Sequence, residues 1–293
     1  MAHSLQIARH PSELRPGAQY AFVPTMGALH EGHAALLRRA RETGREVCLS
    51  IFVNPTQFAP HEDLARYPRT LEADLALAER EGVSVAWVPD VATLYPEGLD
   101  AANRLAATLP LPAVATAPAL EDRIRPGHFA GVQLVVGRLF DAVRPALAVF
   151  GEKDWQQLKL IEAMVAAEPT RWPGIQILAH PTVREADGLA MSSRNRYLRS
   201  EDRERARAVP RALQLAHAAQ RPATAERLMC EALEAKGFTV DYAVIRDADT
   251  LMPVSGFERP TRALVAARLR WHDDSGEERS VRLIDNAPMT IWR

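Results

Sequence analysis

The chain has 293 residues, of which 47% are hydrophobic and 25% charged, a composition typical of a soluble folded protein of one large domain or two. With 36 Lys and Arg against 37 Asp and Glu, the net charge of −1 predicts no overall attraction to nucleic acid or anionic lipid. Cys48 and Cys230 lie far apart and near no histidine cluster, so neither a disulfide framework nor a structural zinc site is indicated. The first residues lack the apolar core of a signal peptide, and the low-charge stretch 105–120 is short and broken by prolines. We therefore expect a cytoplasmic protein with no membrane and no nucleic-acid partner.

Short apolar runs rich in Val, Ile and Phe alternate with helix-period segments through the first 180 residues. Continuous apolar strands between helices predict an α/β fold, a Rossmann-like parallel sheet with helices on both faces, for residues 1–182. Ligands of such sheets bind at the carboxyl ends of the strands. The predicted strands are 20–23, 47–53, 84–88, 146–150 and 175–178, and the predicted helices are 32–43, 70–81, 128–143 and 154–167.

The composition changes after about residue 182, and we predict a smaller C-terminal α+β lid domain over residues 183–293. It should contain a charged helix over 202–219, interrupted or kinked at Pro210. A second helix over 223–235 and strands over 239–245 and 262–269 follow. The polar tract 271–280 is typical of an exposed hairpin tip or loop.

The most informative cluster lies at 24–33, between the first predicted strand and the first predicted helix. Gly27 and Gly32 allow a tight turn and a close approach to a ligand, and a helix N-terminus favours an anion. His30 and His33 share one helix face and can donate hydrogen bonds to one anionic group. A turn cap or a metal site is the alternative, but the spacing is not the His-Glu-x-x-His of zinc proteases. The chain also lacks G-x-x-x-x-G-K-[ST] and G-x-G-x-x-G, so a nucleotide would be held by another device.

Two polar pairs follow in chain order. Asn54 and Gln57 come after the second predicted strand and offer amide groups to a small polar substrate, unless they only form a turn. Arg125 and His128 open a predicted helix with a basic pair suited to a carboxylate, although a structural cap fits equally well.

Two more clusters carry positive charge. Lys153 follows the fourth predicted strand, where it could neutralise a phosphate, and Gln157 lies four residues further along the same side of the next helix. The segment 191–194, Met-Ser-Ser-Arg, lies at the predicted domain junction and combines hydroxyls with a cation. Each cluster alone is ambiguous, whereas five in this order, mostly at strand ends, indicate one functional site.

These motifs resemble those of a known family. The histidine cluster is similar to the His-x-Gly-His signature of the nucleotidylyltransferase and class I tRNA-synthetase superfamily, and 191–194 resembles its Lys-Met-Ser-Lys-Ser loop. With Tyr-Pro-Arg-Thr at 67–70 and Leu-Ile-Asp-Asn at 283–286, the set resembles the pantothenate synthetase (pantoate–β-alanine ligase) family over nearly the whole chain. Related adenylyltransferases share the histidine motif but not Asn-Pro-x-Gln-Phe or Gly-Glu-Lys-Asp.

The resemblance implies a homodimeric ligase of pantothenate and coenzyme A biosynthesis. It would use ATP with Mg²⁺ to condense (R)-pantoate and β-alanine through pantoyl adenylate, releasing pyrophosphate and AMP. His33 would be the proton donor, with His30 and Lys153 as further catalytic residues. The residues implied in substrate binding are Gln57 and Gln157 for pantoate, Asn54 beside them, and Arg125 and His128 for β-alanine or a phosphate. The residues implied in ATP binding are Met26, Gly27, Ala28, Leu29, His30, Glu31, Gly32, His33, Gly151, Glu152, Lys153, Asp154, Val183, Met191, Ser192, Ser193 and Arg194.

The chain departs from the family pattern at several places, among them Asp74 and Trp155. Asp74 is the candidate Mg²⁺ ligand, but many members have two acidic residues where this chain has Ala73 and Asp74, which weakens the metal assignment. Trp155 stands where many members have Tyr, which keeps an aromatic surface and loses a hydroxyl.

Two other functional classes fit part of the pattern. A nucleotidylyltransferase would transfer AMP to a phosphorylated acceptor and stop there. A nucleotide-binding regulatory protein would explain the helix N-terminus but not Gln57, Lys153 and Gln157. We expect the ligase, with the smaller domain hinged near residues 181–183 and closing over ATP.

Overall fold

The computed structural model describes residues 5–59, 63–273 and 275–289, and its contacts divide the chain into two compact units. The boundary lies between Pro181 and Thr182, and Lys153–Trp155 is grouped with the second unit. Independent folding of two domains that meet at residues 182 and 183 stays a prediction. Asp274, within the predicted loop, lies outside the described residues.

The first unit contains a six-stranded sheet whose paired strands are all parallel. The strands are β1 Gln6–Ala8, β2 Ala21–Thr25, β3 Val47–Ile51, β4 Val85–Trp87, β5 Leu147–Gly151 and β6 Gln176–His180. Their spatial order is β1-β4-β3-β2-β5-β6, so the direction of winding reverses between the neighbours β2 and β5. In open parallel sheets the carboxyl ends of the strands at such a reversal form the ligand crevice.

Helices cover both faces of this sheet. Phe22 of β2 packs edge-on against Phe140, with ring centroids 6.3 Å apart, whereas its neighbour Val23 shares an apolar cluster with Leu37 and Ala40. Because successive side chains of a strand point to opposite faces, the helix that carries Phe140 and the helix that carries Leu37 and Ala40 lie on opposite faces. The helices of this part of the chain are α1 Glu31–Arg41, α2 Leu71–Arg80, α3 Val91–Leu94, α4 Leu99–Thr108, α5 Glu121–Ile124, α6 His128–Val143 and α7 Trp155–Ala167.

The predicted α/β architecture is confirmed. All five predicted strands and all four predicted helices of this half are present, with ends shifted by two residues at most. The prediction omits β1, because this three-residue edge strand buries only Ala8 and shows no apolar run. No helix among the described residues has the length and apolar character that crossing a membrane requires.

The second unit is built on a three-stranded antiparallel sheet in the order β7-β8-β9. Val265 and Leu283 of this sheet share an apolar core with Leu213 and Met229 of its helices, which confirms the predicted α+β class. The elements are α8 Ser200–Ala206, α9 Ala208–Ala216, α10 Pro222–Glu234, β7 Phe238–Asp247, β8 Thr261–His272 and β9 Glu278–Met289.

Three details of the second unit differ from the prediction. The charged helix is two helices that meet at Arg207 rather than at Pro210, which lies in the first turn of α9, where a missing N–H is tolerated. The prediction also omits β9, whose sequence is rich in charged residues. The hairpin tip is shorter than 271–280, because β8 and β9 extend into this tract and the Asp273 carboxylate accepts hydrogen bonds from the backbone of Ser275 and Glu277.

Candidate active site

A strained turn connects β2 to α1 at the edge where the sheet reverses. Gly27 has φ +77°, in the left-handed region that glycine tolerates, and Ala28 follows at φ +50°, which costs an L-residue roughly 1–2 kcal/mol. A Cβ on Gly27 would lie 2.9 Å from Asp74 Oδ2 and 3.1 Å from Ile51 Cγ2. The turn is therefore packed too tightly for a side chain at Gly27, and another interaction must hold Ala28 in its conformation.

Asp74 of α2 supplies that interaction. Its Oδ2 accepts a hydrogen bond from Ala28 N at 2.9 Å, and its Oδ1 accepts one from Leu29 N at 2.8 Å. Thr70 Oγ1 donates a third bond to Oδ1 at 3.1 Å. The side chain is buried and lies in the first turn of α2, where a negative charge is favoured.

These bonds bear on the predicted metal role of Asp74. Mg²⁺ is held in enzymes by one or two carboxylates together with substrate phosphates and waters. Both Asp74 oxygens already accept hydrogen bonds from backbone N–H groups, and the described residues contain no group of three His, Cys, Asp or Glu side chains able to hold a metal. These bonds favour a positioning role for Asp74, and its part in holding Mg²⁺ stays a prediction.

The two histidines at the start of α1 are oriented by the main chain. Gly32 N donates to His30 Nδ1 at 3.1 Å, and His30 N donates to His33 Nδ1 at 3.3 Å. A backbone N–H can only donate, so these bonds assign the proton of each neutral ring to Nε2. The ring centroids are 4.2 Å apart. The sequence therefore places two imidazole N–H donors side by side at a helix N-terminus, an arrangement suited to an anion.

A buried amide network follows β3. Asn54 Nδ2 donates to Gln57 Oε1 at 3.0 Å, and Tyr95 Oη donates to Asn54 Oδ1 at 2.7 Å. Burial raises the pKa of the Tyr95 hydroxyl to about 12, so it remains a donor over the physiological range. Because Gln57 Oε1 accepts from Asn54, its Nε2 is the donor side, 3.2 Å from Met26 Sδ. The amide of Gln57 is thus fixed in one of its two orientations.

The backbone of Gln57 is positioned from α6. A Cβ on Gly131 would lie 2.3 Å from the Thr56 carbonyl oxygen and 2.7 Å from Gln57 N, so glycine is required where α6 meets this turn. His128 Nδ1 is 3.0 Å from Gln57 O, and Arg125 Nη1 is 3.0 Å from His128 Nε2. A carbonyl only accepts, so Nδ1 carries the proton and the neutral ring accepts from Arg125 at Nε2. Arg125 and His128 therefore act on the main chain of Gln57.

The two adjacent glutamines of α7 differ in role. Gln156 is buried, and it accepts from Glu121 N at 3.0 Å and donates to Asp122 Oδ1 at 2.9 Å and Val114 O at 2.8 Å. Its amide is committed to the surrounding backbone and side chains. Gln157 is only half-buried and is the one that the motif assigns to substrate.

The second unit holds Lys153, Asp154, Val183 and the segment 191–194, whereas Gly151 and Glu152 belong to the first unit. Lys153 Nζ lies 3.7 Å from Asp154 Oδ1, and its side chain is 20% exposed. Met191 N donates to Val183 O at 2.9 Å, so the segment 183–191 folds back on itself. Ser192 Oγ accepts from Arg194 N at 3.3 Å and starts the short helix Ser193–Tyr197. Lys153 and Arg194 are thus cations on short, well-defined turns of one unit.

Comparison with known proteins decides the family. The family model described as "Pantoate-beta-alanine ligase" matches residues 2–288. The chain belongs to the pantoate–β-alanine ligase family. A pantothenate synthetase of Acidiphilium cryptum (strain JF-5) is 46% identical over 278 residues, which cover 90% of this chain and 96% of that protein. One of Xanthomonas euvesicatoria pv. vesicatoria (strain 85-10) is 47% identical over 276 residues, covering 93% and 92%.

Solved structures agree with this membership. The crystal structure of pantothenate synthetase from Thermus thermophilus has a TM-score of 0.83 at 39% identity, covering 96% of this chain and 98% of that one. A pantoate–β-alanine ligase from Francisella tularensis, in complex with "Beta-gamma ATP and Beta-alanine", has a TM-score of 0.74 at 30% identity, covering 97% of both chains. The resemblance predicted from the motifs is confirmed, and the chain is an ATP-dependent ligase of pantothenate biosynthesis. The nucleotidylyltransferase and regulatory-protein alternatives are not supported.

The sequence prediction overlooks two residues that position the amide network after β3, Tyr95 and Gly131. Tyr95 lies far along the chain from Asn54, which its hydroxyl orients, and no local pattern reveals that bond. The close approach at Gly131 could be suspected only because glycine is costly inside a helix. The roles of the individual ATP-binding, substrate-binding and metal residues stay predictions.

Proposed function

We propose that this ligase carries out two half-reactions with the residues described above. In the first, a pantoate carboxylate oxygen attacks the α-phosphorus of ATP, the bond to the β-phosphate oxygen breaks, and pyrophosphate leaves. In the second, the β-alanine amine attacks the acyl carbon of pantoyl adenylate, AMP leaves, and the amine releases a proton. The observation that carries the proposal is the pair of histidine rings whose Nδ1 atoms both accept backbone N–H bonds at the start of α1.

The histidines act on charge that develops in the first half-reaction. With Nδ1 accepting a backbone bond, the neutral rings of His30 and His33 carry their protons on Nε2, and we assign them to the triphosphate. His33 would stabilise the leaving pyrophosphate by donating a hydrogen bond rather than by transferring a proton, because a neutral ring that lost its Nε2 proton would become an imidazolate. Donors fixed before the reaction stabilise developing charge without reorganisation. The residues 26–33 would lie along ATP, with the left-handed turn at Gly27 and Ala28 leading the chain from β2 to the histidines at the start of α1.

Pantoate is assigned to the amide groups of the first unit. Gln57 offers Nε2–H on the side opposite its bond to Asn54, and Gln157 offers a second amide from α7. Neutral amides suit the hydroxyls and the carboxylate of pantoate because they donate and accept. His128 and Arg125 support this pocket through Gln57 O, which we now favour over direct contact with β-alanine. The Francisella relative is named as a complex with β-alanine, which supports β-alanine as the amine here.

The cations Lys153 and Arg194 are assigned to the phosphates, together with the backbone and side chains of 151–154, 183 and 191–193. Mg²⁺ would supply further charge neutralisation as part of MgATP. Closing the acyl adenylate away from water would prevent its hydrolysis. We also propose, from the family resemblance, that the protein is a cytoplasmic homodimer.

Single-turnover kinetics test these assignments. Rapid quench of enzyme with MgATP and pantoate measures pyrophosphate release without β-alanine. We expect His33→Ala and Lys153→Ala each to slow it by roughly 10²–10⁴-fold, as expected for groups that act in the transition state. The matched controls are His272→Ala and Lys236→Ala, which remove exposed side chains of the same types. Near-wild-type rates in the first pair would contradict the assignments.

A further inference from the structure

We propose that Asp285 and Asn286, adjacent residues of β9, are positioning residues for the two phosphate-binding segments of the second unit. The inference rests on the proposed function, because it takes Lys153 and the segment 183–194 as the groups that meet the phosphates. Both residues are 3% exposed, and their side chains project to opposite faces of the sheet because strand residues alternate.

Asn286 holds the turn that carries Lys153. Its Nδ2 donates to Lys153 O at 2.9 Å, and its Oδ1 accepts a bond from Arg262 Nε. The Arg262 guanidinium lies 3.5 Å from the centroid of the Trp155 ring, and Trp155 Nε1 donates to Ala248 O at 2.9 Å. The backbone of Lys153 and the side chain of Trp155 are therefore both fixed to the second unit. The Lys153 ammonium takes no part in these bonds.

The neighbour of Asn286 holds the other segment. Arg184 donates two hydrogen bonds to the Asp285 carboxylate, at 2.7 Å and 3.0 Å, and a third to Gly188 O at 3.0 Å. Arg184 adjoins Val183, and its backbone forms a bridge with Ala190, next to Met191. A bidentate Arg–carboxylate pair fixes direction as well as distance. Asp285 of β9 thereby fixes the orientation of the segment 183–191, which leads into Met-Ser-Ser-Arg.

Both residues lie on β9, a strand that is paired along its whole length with its neighbour. β9 pairs with β8 continuously from Thr261 opposite Met289 to His272 opposite Glu278. One face of β9 contributes Val281, Leu283 and Met289 to the core beneath the helices. Two consecutive residues of one continuously paired strand thus hold the segment that carries Lys153 and the segment that leads to Arg194. When a catalytic group must be aligned with its substrate, a small displacement of that group can lower the reaction rate strongly.

The test separates the two half-reactions. Pyrophosphate release from MgATP and pantoate reports the first, and AMP release from supplied pantoyl adenylate and β-alanine reports the second. We expect Asn286→Ala to slow the first by roughly 10- to 100-fold and to leave the second within about twofold of wild type. Asn286→Asp, which keeps the acceptor for Arg262 and removes the donor to Lys153, should behave similarly and covers the case in which the alanine variant misfolds.

A double variant gives a readout that a general structural defect would not. Once the Lys153 ammonium is absent its position no longer matters, so Lys153→Ala with Asn286→Ala should match Lys153→Ala alone within about twofold. Asp241→Asn is the control, since it weakens the Asp241–Arg282 pair of the same sheet, whose Nε and Oδ2 are 2.6 Å apart, and should leave both half-reactions unchanged. Additive losses, or equal slowing of both half-reactions, would overturn the positioning role. A wild-type rate for Lys153→Ala would instead overturn the proposed function, and the inference with it.

Discussion

Asp74→Asn separates a positioning role from a metal-binding role at this carboxylate. The carboxylate accepts from Ala28 N and Leu29 N through its two oxygens, whereas an amide offers only one acceptor atom. One of the two backbone donors would therefore face an NH₂ group. Glu72→Gln, which removes an exposed charge from the same turn of α2, is the matched control.

The size of the effect follows from the bonds that are lost. A hydrogen bond to a charged group contributes about 1.5–3 kcal/mol, and a buried donor left without a partner costs a comparable amount. The left-handed Ala28 stores roughly 1–2 kcal/mol of strain. Losing about 2–3 kcal/mol of hydrogen-bond energy between Asp74 and the turn exceeds the strain stored at Ala28, so the turn should relax. Expressed in the rate, this loss is about 30- to 140-fold, since 1.4 kcal/mol corresponds to a factor of ten.

Single-turnover pyrophosphate release, repeated over a range of free Mg²⁺ concentrations, provides the assay. We expect Asp74→Asn to be slow at every Mg²⁺ concentration, with the same half-saturating Mg²⁺ as wild type, because the carboxylate acts on the turn. Glu72→Gln should follow the wild-type curve. If Asp74→Asn needs more Mg²⁺ and regains the wild-type rate when enough is supplied, Asp74 is a metal ligand and the positioning argument is refuted.

Three further predictions concern the pantoate pocket. Gly131→Ala should lower the free energy of unfolding by about 1–3 kcal/mol in chemical denaturation and raise the KM for pantoate, because its Cβ would lie 2.3 Å from Thr56 O. Gly137→Ala in the same helix has no contact closer than 3.5 Å and should be neutral or stabilising by up to about 1 kcal/mol; equal effects of the two would contradict the packing argument. Gln57→Ala should weaken pantoate binding more than ATP binding in equilibrium titrations, and an unchanged pantoate affinity would show that the pocket is misplaced. The pKa of Tyr95 is raised to about 12, so the folded state keeps this proton to higher pH than the unfolded chain, and the resulting stabilisation is lost as pH rises from about 10 to 12. Tyr95 should therefore still be largely protonated at pH ~11, and Tyr95→Phe should then show nearly the same tyrosinate absorbance near ~295 nm as wild type. A clearly lower absorbance in the variant would contradict the raised pKa.

Local pattern was sufficient for most of the fold. The apolar runs of β2, β3 and β5 and the helical periodicity of α1 and α6 are visible without any long-range information. The edge strand β1 and the charged β9 were not predicted, since each is defined by pairing with a distant segment rather than by its own composition.

The site was less predictable from local pattern. The histidine motif, Gln57 and Lys153 could be found through their spacing and their resemblance to a family. Their orientation could not, because it depends on bonds such as Asp74 to Ala28, which are 46 residues apart in the chain. Spacing also cannot separate Gln156 from Gln157, which are adjacent but differ in burial and partners. Histidine tautomers, amide orientations and the bonds that position Lys153 depend on contacts formed only in the folded chain, so local sequence does not reveal them.

Following pyrophosphate and AMP separately would test the proposed two-step reaction on the purified protein. MgATP is supplied first alone, then with pantoate, and then with pantoate and β-alanine. We predict no pyrophosphate without pantoate, one equivalent of pyrophosphate per active site with pantoate, and continuous release of AMP and pyrophosphate only when β-alanine is added. Pyrophosphate release that does not depend on pantoate, or AMP release with pantoate but without an amine, would contradict the coupled half-reactions.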